Sequence, residues 1–303
     1  MAARRLLLVH AHPDDETIGT GAVMAKYVAE GAHVTLVTCT RGEHGEILVP
    51  ELEHLDASRE DGLGEHRVTE LEAAMKELGV TDYRFLGGEG RYRDTGMAHT
   101  ENGAATVPDE TRDNAFWHAD LREASDHLVE VIREVRPQVL VTYDEFGAYG
   151  HPDHVQAHRV ATYAASLAAV STYRRDLGDA WDIAKIYWTA MSDTRFREGI
   201  RRLRESGDTT TFEGLDPDGP MPPFAVPDDD ITAQVDGTPY VEQKIAALRA
   251  HASQISVDGP FFALADNLGN QVWGVESFRL AKGVPGPADP ETGRESDLFS
   301  GLA

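Results

Sequence analysis

The chain has 303 residues, 41% of them hydrophobic, with 52 acidic against 28 basic side chains and a formal charge of −24. That apolar share supports a sizeable core and excludes a wholly disordered chain. The acidity excludes nucleic acid and anionic membranes as partners, since basic surfaces meet both, and no apolar run approaches the roughly 20 residues of a membrane helix.

Leu6-Leu7-Leu8-Val9 is a continuous apolar run, the pattern of a parallel strand covered on both faces. It follows Arg4 and Arg5 but is too short for a signal-peptide core. Residues 17–30 predict a helix ended by Gly31, and 33–39 a second strand. Its last residue, Cys39, is the single cysteine and is read as packed rather than nucleophilic. A chain that cannot form an internal disulfide suits a reducing cytoplasm. Residues 58–78 carry a helical pattern (Val68, Leu71, Met75, Leu78) closed by Gly79, and 83–86 form a short strand. Leu121, Leu128, Val131, Ile132 and Val135 predict an amphipathic helix over 120–136, stopped by Pro137. Strand 138–143 and helix 153–170 follow.

The later segment is less regular. It reads as a strand at 184–190 and a charged helix at 192–206. Residues 207–230, rich in Asp, Gly and Pro, read as a loop or mobile flap. A strand at 231–235, a helix at 239–253 and a tail from 283, expected to wrap the surface, complete the chain. The β-α-β-α alternation predicts an α/β fold: a Rossmann-like, mostly parallel sheet with right-handed crossovers and helices on both faces. No linker is evident, so residues 1–303 are expected to form a single domain. Its core spans about 4–175 and its C-terminal elaboration about 176–303.

Directly after the first strand stands His10-Ala11-His12-Pro13-Asp14-Asp15-Glu16. Two histidines and three acids crowd the carboxyl end of a buried strand, where open α/β sheets bind ligands. Packing does not ask for such a cluster, and burying it without partners is costly. A second constellation, Tyr149-Gly150-His151-Pro152-Asp153-His154, follows the apolar run Val139-Leu140-Val141. One cluster per strand end points to a divalent metal site assembled from remote segments. Pro13 disfavours helix at His12, so His12 and Asp15 can converge on one ion and leave Asp14 free beside it. That division suits hydrolysis, in which ligands hold the metal while a free carboxylate takes a proton from water. A lone Asp here would be read as a helix N-cap; the density of ligand-type residues favours the metal. His10 is expected to pack in the sheet top rather than to act as a ligand. One histidine of the second cluster completes a His-Asp-His set with an open position. Such a set fits catalytic Zn²⁺ and, by ligand type, Fe²⁺ as well. The other, His151, is then free to meet substrate, with Asp153 placed to orient it and raise its pKa. His154 and His158 have the i, i+4 spacing of a helical zinc pair but lack the Glu that metalloproteases place after the first histidine. His154 alone is therefore taken from that helix.

Together, His12-Pro13-Asp14-Asp15-Glu16, Tyr149-Gly150-His151-Pro152-Asp153-His154 and His251-Ala252-Ser253-Gln254 resemble the signatures of the LmbE/PIG-L-type N-acetylglucosaminyl deacetylases, from residue 5 to about 255. Gly64-Glu65-His66-Arg67-Val68-Thr69-Glu70-Leu71 and Gly87-Gly88-Glu89-Gly90-Arg91-Tyr92-Arg93-Asp94-Thr95-Gly96-Met97 are similar to one actinobacterial branch. That branch removes acetate from an N-acetylglucosamine–inositol conjugate in mycothiol biosynthesis. The related mycothiol S-conjugate amidases share the metal motifs but have Tyr-Pro-His where this chain has Tyr149-Gly150-His151, and lack the Arg-Asp-Thr-Gly-Met-like segment.

The resemblance implies zinc bound by His12, Asp15 and His154, with Asp14 as general base and a small sugar–inositol molecule as substrate. It also implies that His151, with Asp153 behind it, assists the tetrahedral intermediate or protonates the leaving amine. Tyr149 would hydrogen-bond the oxyanion, and Arg67 and Asp94 would hold sugar hydroxyls. Glu46 and Met97, on neighbouring loops, are expected to line the pocket. Read without the family, Arg67 would pair with Glu70 on a helix surface and Asp94 would make a turn. Three other readings stand against this one, the nearest being a different amidase of the same family that acts on thiol conjugates or on another N-acetyl sugar. A metal-holding sensor without turnover would need no free acid beside its ligands. A nucleotide-binding domain would show a Gly-x-Gly-x-x-Gly turn or a P-loop after the first strand, and neither is there. No motif specifies an oligomeric state.

Overall fold

Leu6, Leu7, Leu8 and Val9 expose no surface, because parallel strands flank theirs on both edges and helices cover both faces. The computed structural model describes residues 3–100, 105–222, 224–257, 259, 262 and 274–302. Its first half runs β1 (Arg5–His10), α1 (Asp15–Ala29), β2 (His33–Thr38), α2 (Leu63–Leu78), β3 (Asp82–Phe85), α3 (Leu121–Val135), β4 (Val139–Thr142) and α4 (Pro152–Ala168). The second half adds β5 (Lys185–Ser192), α5 (Asp193–Glu205), β6 (Ala225–Val226), β7 (Ala233–Asp236), α6 (Val241–Ala250) and β8 (Val275–Lys282).

These strands form one sheet in the order β3-β2-β1-β4-β5-β8-β7, with β6 beside the end of β5. The run from β3 to β5 is parallel, and β8 is antiparallel to both neighbours. This is the mostly parallel α/β sheet that the alternation of elements predicts. Alternation along β1 sends Leu6 and Leu8 to one face and Leu7 and Val9 to the other. The first pair packs with Met24, Tyr27, Leu71 and Met75 of α1 and α2. The second packs with Leu128, Ile132, Val160 and Ala164 of α3 and α4. From β1 the chain continues to β2 on one side, and β4 lies on the other, so a crevice opens at the carboxyl ends of β1 and β4.

An ion pair from the C-terminal portion enters α1 at mid-length. Lys244 Nζ donates to the Ile18 carbonyl at 2.9 Å and to Glu276 Oε1 at 2.7 Å. Glu276 in turn accepts from the amides of Ala22 (3.0 Å) and Val23 (2.8 Å). Ile18 and Ala22 stand four apart, the spacing of ladder partners, so the ion pair meets the helix at a single rung of its backbone ladder. A Cβ on Gly21 would lie 3.1 Å from Lys244 Cγ, which is why the close approach falls at a glycine.

Several boundaries differ from the sequence reading. The helix expected from 58 begins at Leu63, because Pro50–Leu55 forms a 3₁₀ turn and Asp61 adopts φ 55°. The helix expected to reach 253 stops at Ala250, where His251 leaves helical geometry (ψ 47°) and turns inward. Strand β8 carries buried Glu276 and Ser277, which hide its periodicity. The tail does not simply wrap the surface. Glu295 is 1% exposed, bonded to Lys185 Nζ at 2.5 Å and to the Tyr187 hydroxyl at 2.7 Å. Leu298 and Phe299 enter the core, the latter edge-on to Tyr27. Among the described residues, no helix is long and apolar enough to cross a membrane.

Glu295→Ala strands the buried Lys185 ammonium and is expected to lower unfolding free energy by about 3–5 kcal/mol in urea titration. A loss below about 1 kcal/mol would show that the tail is not an integral layer.

Candidate active site

β1 ends at His10, and Pro13 carries the chain through a tight turn into α1. Within that turn the His12 amide donates to Asp15 Oδ2 at 2.9 Å, and His12 Nδ1 lies 3.3 Å from the same oxygen. The other Asp15 oxygen is 3.3 Å from His154 Nε2, in the first turn of α4. His12, Asp15 and His154 are thus brought together from opposite ends of the crevice. Ring nitrogens of His12, His151 and His154 also lie within 4.8 Å of one another.

Both ring nitrogens of His154 are buried without a hydrogen-bond partner, and its ring stacks on Tyr143 at 4.2 Å. Such an orphaned imidazole beside a carboxylate is costly unless something electropositive is present. The donor set of imidazoles and carboxylate therefore fits a divalent cation. Burial acts to raise the Asp15 carboxyl, but His154 and His12 overrule it and hold it well below the usual range.

His12 Nε2 points the other way, 3.2 Å from Asp153 and 3.6 Å from Asp94. Asp153 is fully buried and also accepts from the Thr95 amide at 2.9 Å and from the Thr95 hydroxyl. Here the sequence reading needs correction. Asp153 backs His12, not His151, and does not raise the pKa of His151. His151 is the N-cap of α4, and its Nδ1 accepts from the Asp153 amide at 3.1 Å. Burial, with His12 and His154 close by, pushes its pKa down to about 2. With Nδ1 accepting, the neutral ring carries its proton on Nε2 and is a hydrogen-bond donor there.

Asp14 occupies the N-cap position of α1 yet makes no capping bond, and its φ of 117° with ψ of −35° is a strained conformation for a side-chain-bearing residue. Its carboxylate meets Arg67 Nη2 at 3.2 Å. Burial raises that carboxyl to about 6, against the pull of Arg67. Arg67 is buried rather than paired with Glu70 on a helix surface. It donates to the carbonyls of Gly42 (2.8 Å) and Pro13 as well as to Asp14, so most of its donors are engaged within the protein. Gly42 (φ 69°) is obligatory for this, since a Cβ there would lie 2.1 Å from Arg67 Nη1.

Asp94 makes the turn its residue type suggests, accepting from the amides of Gly96 (2.8 Å) and His44 (3.1 Å). His10 is packed between Tyr143 and Thr20, and burial lowers its pKa to about 4. His158 turns away to the Tyr143 carbonyl at 3.0 Å and joins no cluster.

A cavity of about 720 Å³ opens over these groups. Asp14, Arg67, Asp94, Glu46 and Met97 line it, as do Tyr149 and the three clustered histidines. Tyr149 is 43% exposed, its ring edge-on to His154 at 5.0 Å, and desolvation pushes its phenol above the ordinary value. The far wall comes from the C-terminal portion, including Ser192, Phe196, Phe224, Lys244 and Glu276. Residue-level reading missed Thr95, Glu16 and the role of His251. The His251-Ala252-Ser253-Gln254 stretch was visible as a motif, but only the fold shows that it reaches α1.

Asp14→Gly and Asp14→Ala both remove the carboxylate and differ in backbone freedom alone. The glycine variant is expected to be more stable by about 1–3 kcal/mol in thermal or urea unfolding, the reverse of the usual order. An alanine variant of equal or greater stability would refute strain at this position.

Comparison with known proteins adds the following. A family model described as PIG-L, GlcNAc-PI de-N-acetylase, matches residues 7–165. Proteins named 1D-myo-inositol 2-acetamido-2-deoxy-alpha-D-glucopyranoside deacetylase are similar over the whole chain. That of Nocardioides sp. is 69% identical, covering 99% of each chain. That of Kribbella flavida is 67% identical, covering 99% of this chain and 98% of its own. The solved structure of N,N'-diacetylchitobiose deacetylase from Pyrococcus horikoshii superposes with a TM-score of 0.59 at 20% identity. It covers 93% of this chain and 85% of that one, a likeness of fold.

Proposed function

The chain belongs to the PIG-L family of GlcNAc-PI de-N-acetylases, and from that premise we propose that it is an amide hydrolase of mycothiol biosynthesis. It removes acetate from 1D-myo-inositol 2-acetamido-2-deoxy-α-D-glucopyranoside to leave the free amine. The observation that carries this reading is Asp14: a carboxylate beside the histidine cluster, outside it, strained, and raised to about 6.

In this reading His12, Asp15 and His154 hold zinc, and the same donors accept Fe²⁺ by type. A bound divalent ion supplies Lewis-acid polarisation of the acetyl carbonyl and lowers the pKa of water towards about 7. Asp153 orients His12 from behind, as carboxylates do for ligating histidines. Asp14 takes the proton from the attacking water, and Arg67 keeps its carboxylate aimed into the cavity. Tyr149 donates a hydrogen bond from its phenol to the oxyanion, and His151 assists the tetrahedral intermediate through Nε2–H. Burial keeps the His151 imidazole neutral, so it carries no ionised proton to give, and the proton for the departing amine comes from Asp14, which has just received one. A carboxyl titrating near 6 suits both halves of that exchange. Asp94, Arg67, Glu46 and Met97 form the wall against which the sugar lies. The buried Cys39 suits a reducing cytoplasm.

Asp14→Asn is expected to retain its metal by elemental analysis while acetate release falls about 10²–10⁴-fold. Undiminished turnover would remove Asp14 as the base. For substrate, acetate release from the sugar–inositol conjugate is expected to exceed hydrolysis of a mycothiol S-conjugate in kcat/KM. The opposite preference would assign the chain to thiol-conjugate amidase chemistry.

A further inference from the structure

Asp14 is held in its strained conformation from several sides. Its carboxylate meets Arg67, and its carbonyl accepts from the amides of Thr17 and Ile18 at 2.9 Å each. Its amide donates to Glu16 Oε2, also at 2.9 Å. Glu16 has no exposed surface, and its other oxygen accepts from the Thr17 hydroxyl at 2.6 Å and from His251 Nε2 at 2.9 Å. His251, equally buried, is the residue at which α6 ends. Its carbonyl is held by the amides of Gln254 and Ile255, and Ser253 is tied by amide and hydroxyl to Glu70 of α2, each at 2.7 Å. The turn after α6 is therefore rigid, and it presents one imidazole to one carboxylate. A carboxylate cut off from water must keep such a partner or change its protonation and its place. Loss of His251 would free Glu16 to turn away and release the Asp14 amide.

We propose that Glu16 and His251 are a positioning pair for the general base. They act through the Asp14 backbone and do not contact substrate themselves. Through them, the C-terminal portion sets where the Asp14 carboxylate stands relative to the reacting water. This inference rests on the reading of Asp14 as the base. It assigns a task to two residues that neither hold metal nor line the cavity.

The test uses the full chain loaded with zinc and compares wild type, His251→Ala, Glu16→Ala, the double variant and His251→Gln. Acetate release, bound zinc and unfolding midpoint are measured on each. His251→Ala is expected to lower kcat about 10²-fold, the cost of a displacement of about 1 Å in a catalytic group. KM should stay within about twofold and zinc content unchanged, since the groups that meet substrate are untouched. His251→Gln places an amide N–H where Nε2 stands and should recover most of the rate. Because both residues act through one amide, the double variant should lose no more than the worse single one. Should His251→Ala fail to fold, Glu16→Gln, which keeps the shape and removes the charge, is held to the same expectation of reduced kcat at constant KM. Four results each overturn the pair: a lowered midpoint with unchanged kcat, a change in KM alone, no recovery with glutamine, or losses that multiply. A wild-type protein that releases no acetate overturns the functional reading and the pair's role with it. Active wild type with unaffected His251→Ala overturns the pair alone.

Discussion

Charge balance away from water is the constraint on which the site depends. His12, Asp94, Asp153 and His154 are each at most 7% exposed, yet they are packed within hydrogen-bonding or ion-pair distance of one another or of Asp15. Carboxylates in such a place require positive charge and donors in fixed positions. His12 answers on both sides, with Nδ1 towards Asp15 and Nε2 towards Asp153 and Asp94. It joins the histidine cluster on one side to Asp153 and Asp94 on the other, and Asp94 still lines the cavity. In the proposed reading a divalent ion among the imidazoles would complete the balance. His154, whose ring nitrogens make no hydrogen bond and have only Asp15 at 3.3 Å beside Nε2, is the local sign that the protein alone does not.

The same economy explains why Asp14 is built as it is. The base role proposed for Asp14 asks for an acid that is neither a ligand nor fully solvated. The turn achieves this by backbone strain: φ 117° swings the Asp14 side chain out of the capping role and towards Arg67, while Asp15, one residue on, faces the histidines. Two adjacent aspartates thereby occupy different electrostatic environments, one pushed up by desolvation and the other held down by imidazoles. Proteins tolerate strain of this kind where surrounding contacts over-determine the conformation.

Much of this was legible beforehand, for physical reasons that can be named. Parallel strands buried on both faces leave unbroken apolar runs such as Leu6 to Val9, and clusters at their ends have few explanations besides ligand binding. The meeting of His12, Asp15 and His154 was expected from ligand-type clusters at the ends of two apolar runs. Asp153 was misassigned because sequence adjacency to His151 suggested contact. The first turn of α4 instead gives His151 the cap and sends Asp153 inwards to His12 and Thr95. Arg67 was placed at the site, but its anchoring carbonyls on Gly42 and Pro13 belong to backbone that no pattern displays. Strand β8 and the tail were obscure because their buried positions include Glu276, Ser277 and Glu295, polar residues matched to distant partners.

The ion pair lodged in α1 also bears on the order in which the protein can be assembled. The carbonyl of Ile18 and the amide of Ala22 find their partners 226 and 254 residues downstream. A nascent chain emerging from the ribosome can close this helix locally, long before Lys244 and Glu276 have been made. These long-range contacts to the first helix therefore wait until translation has almost finished.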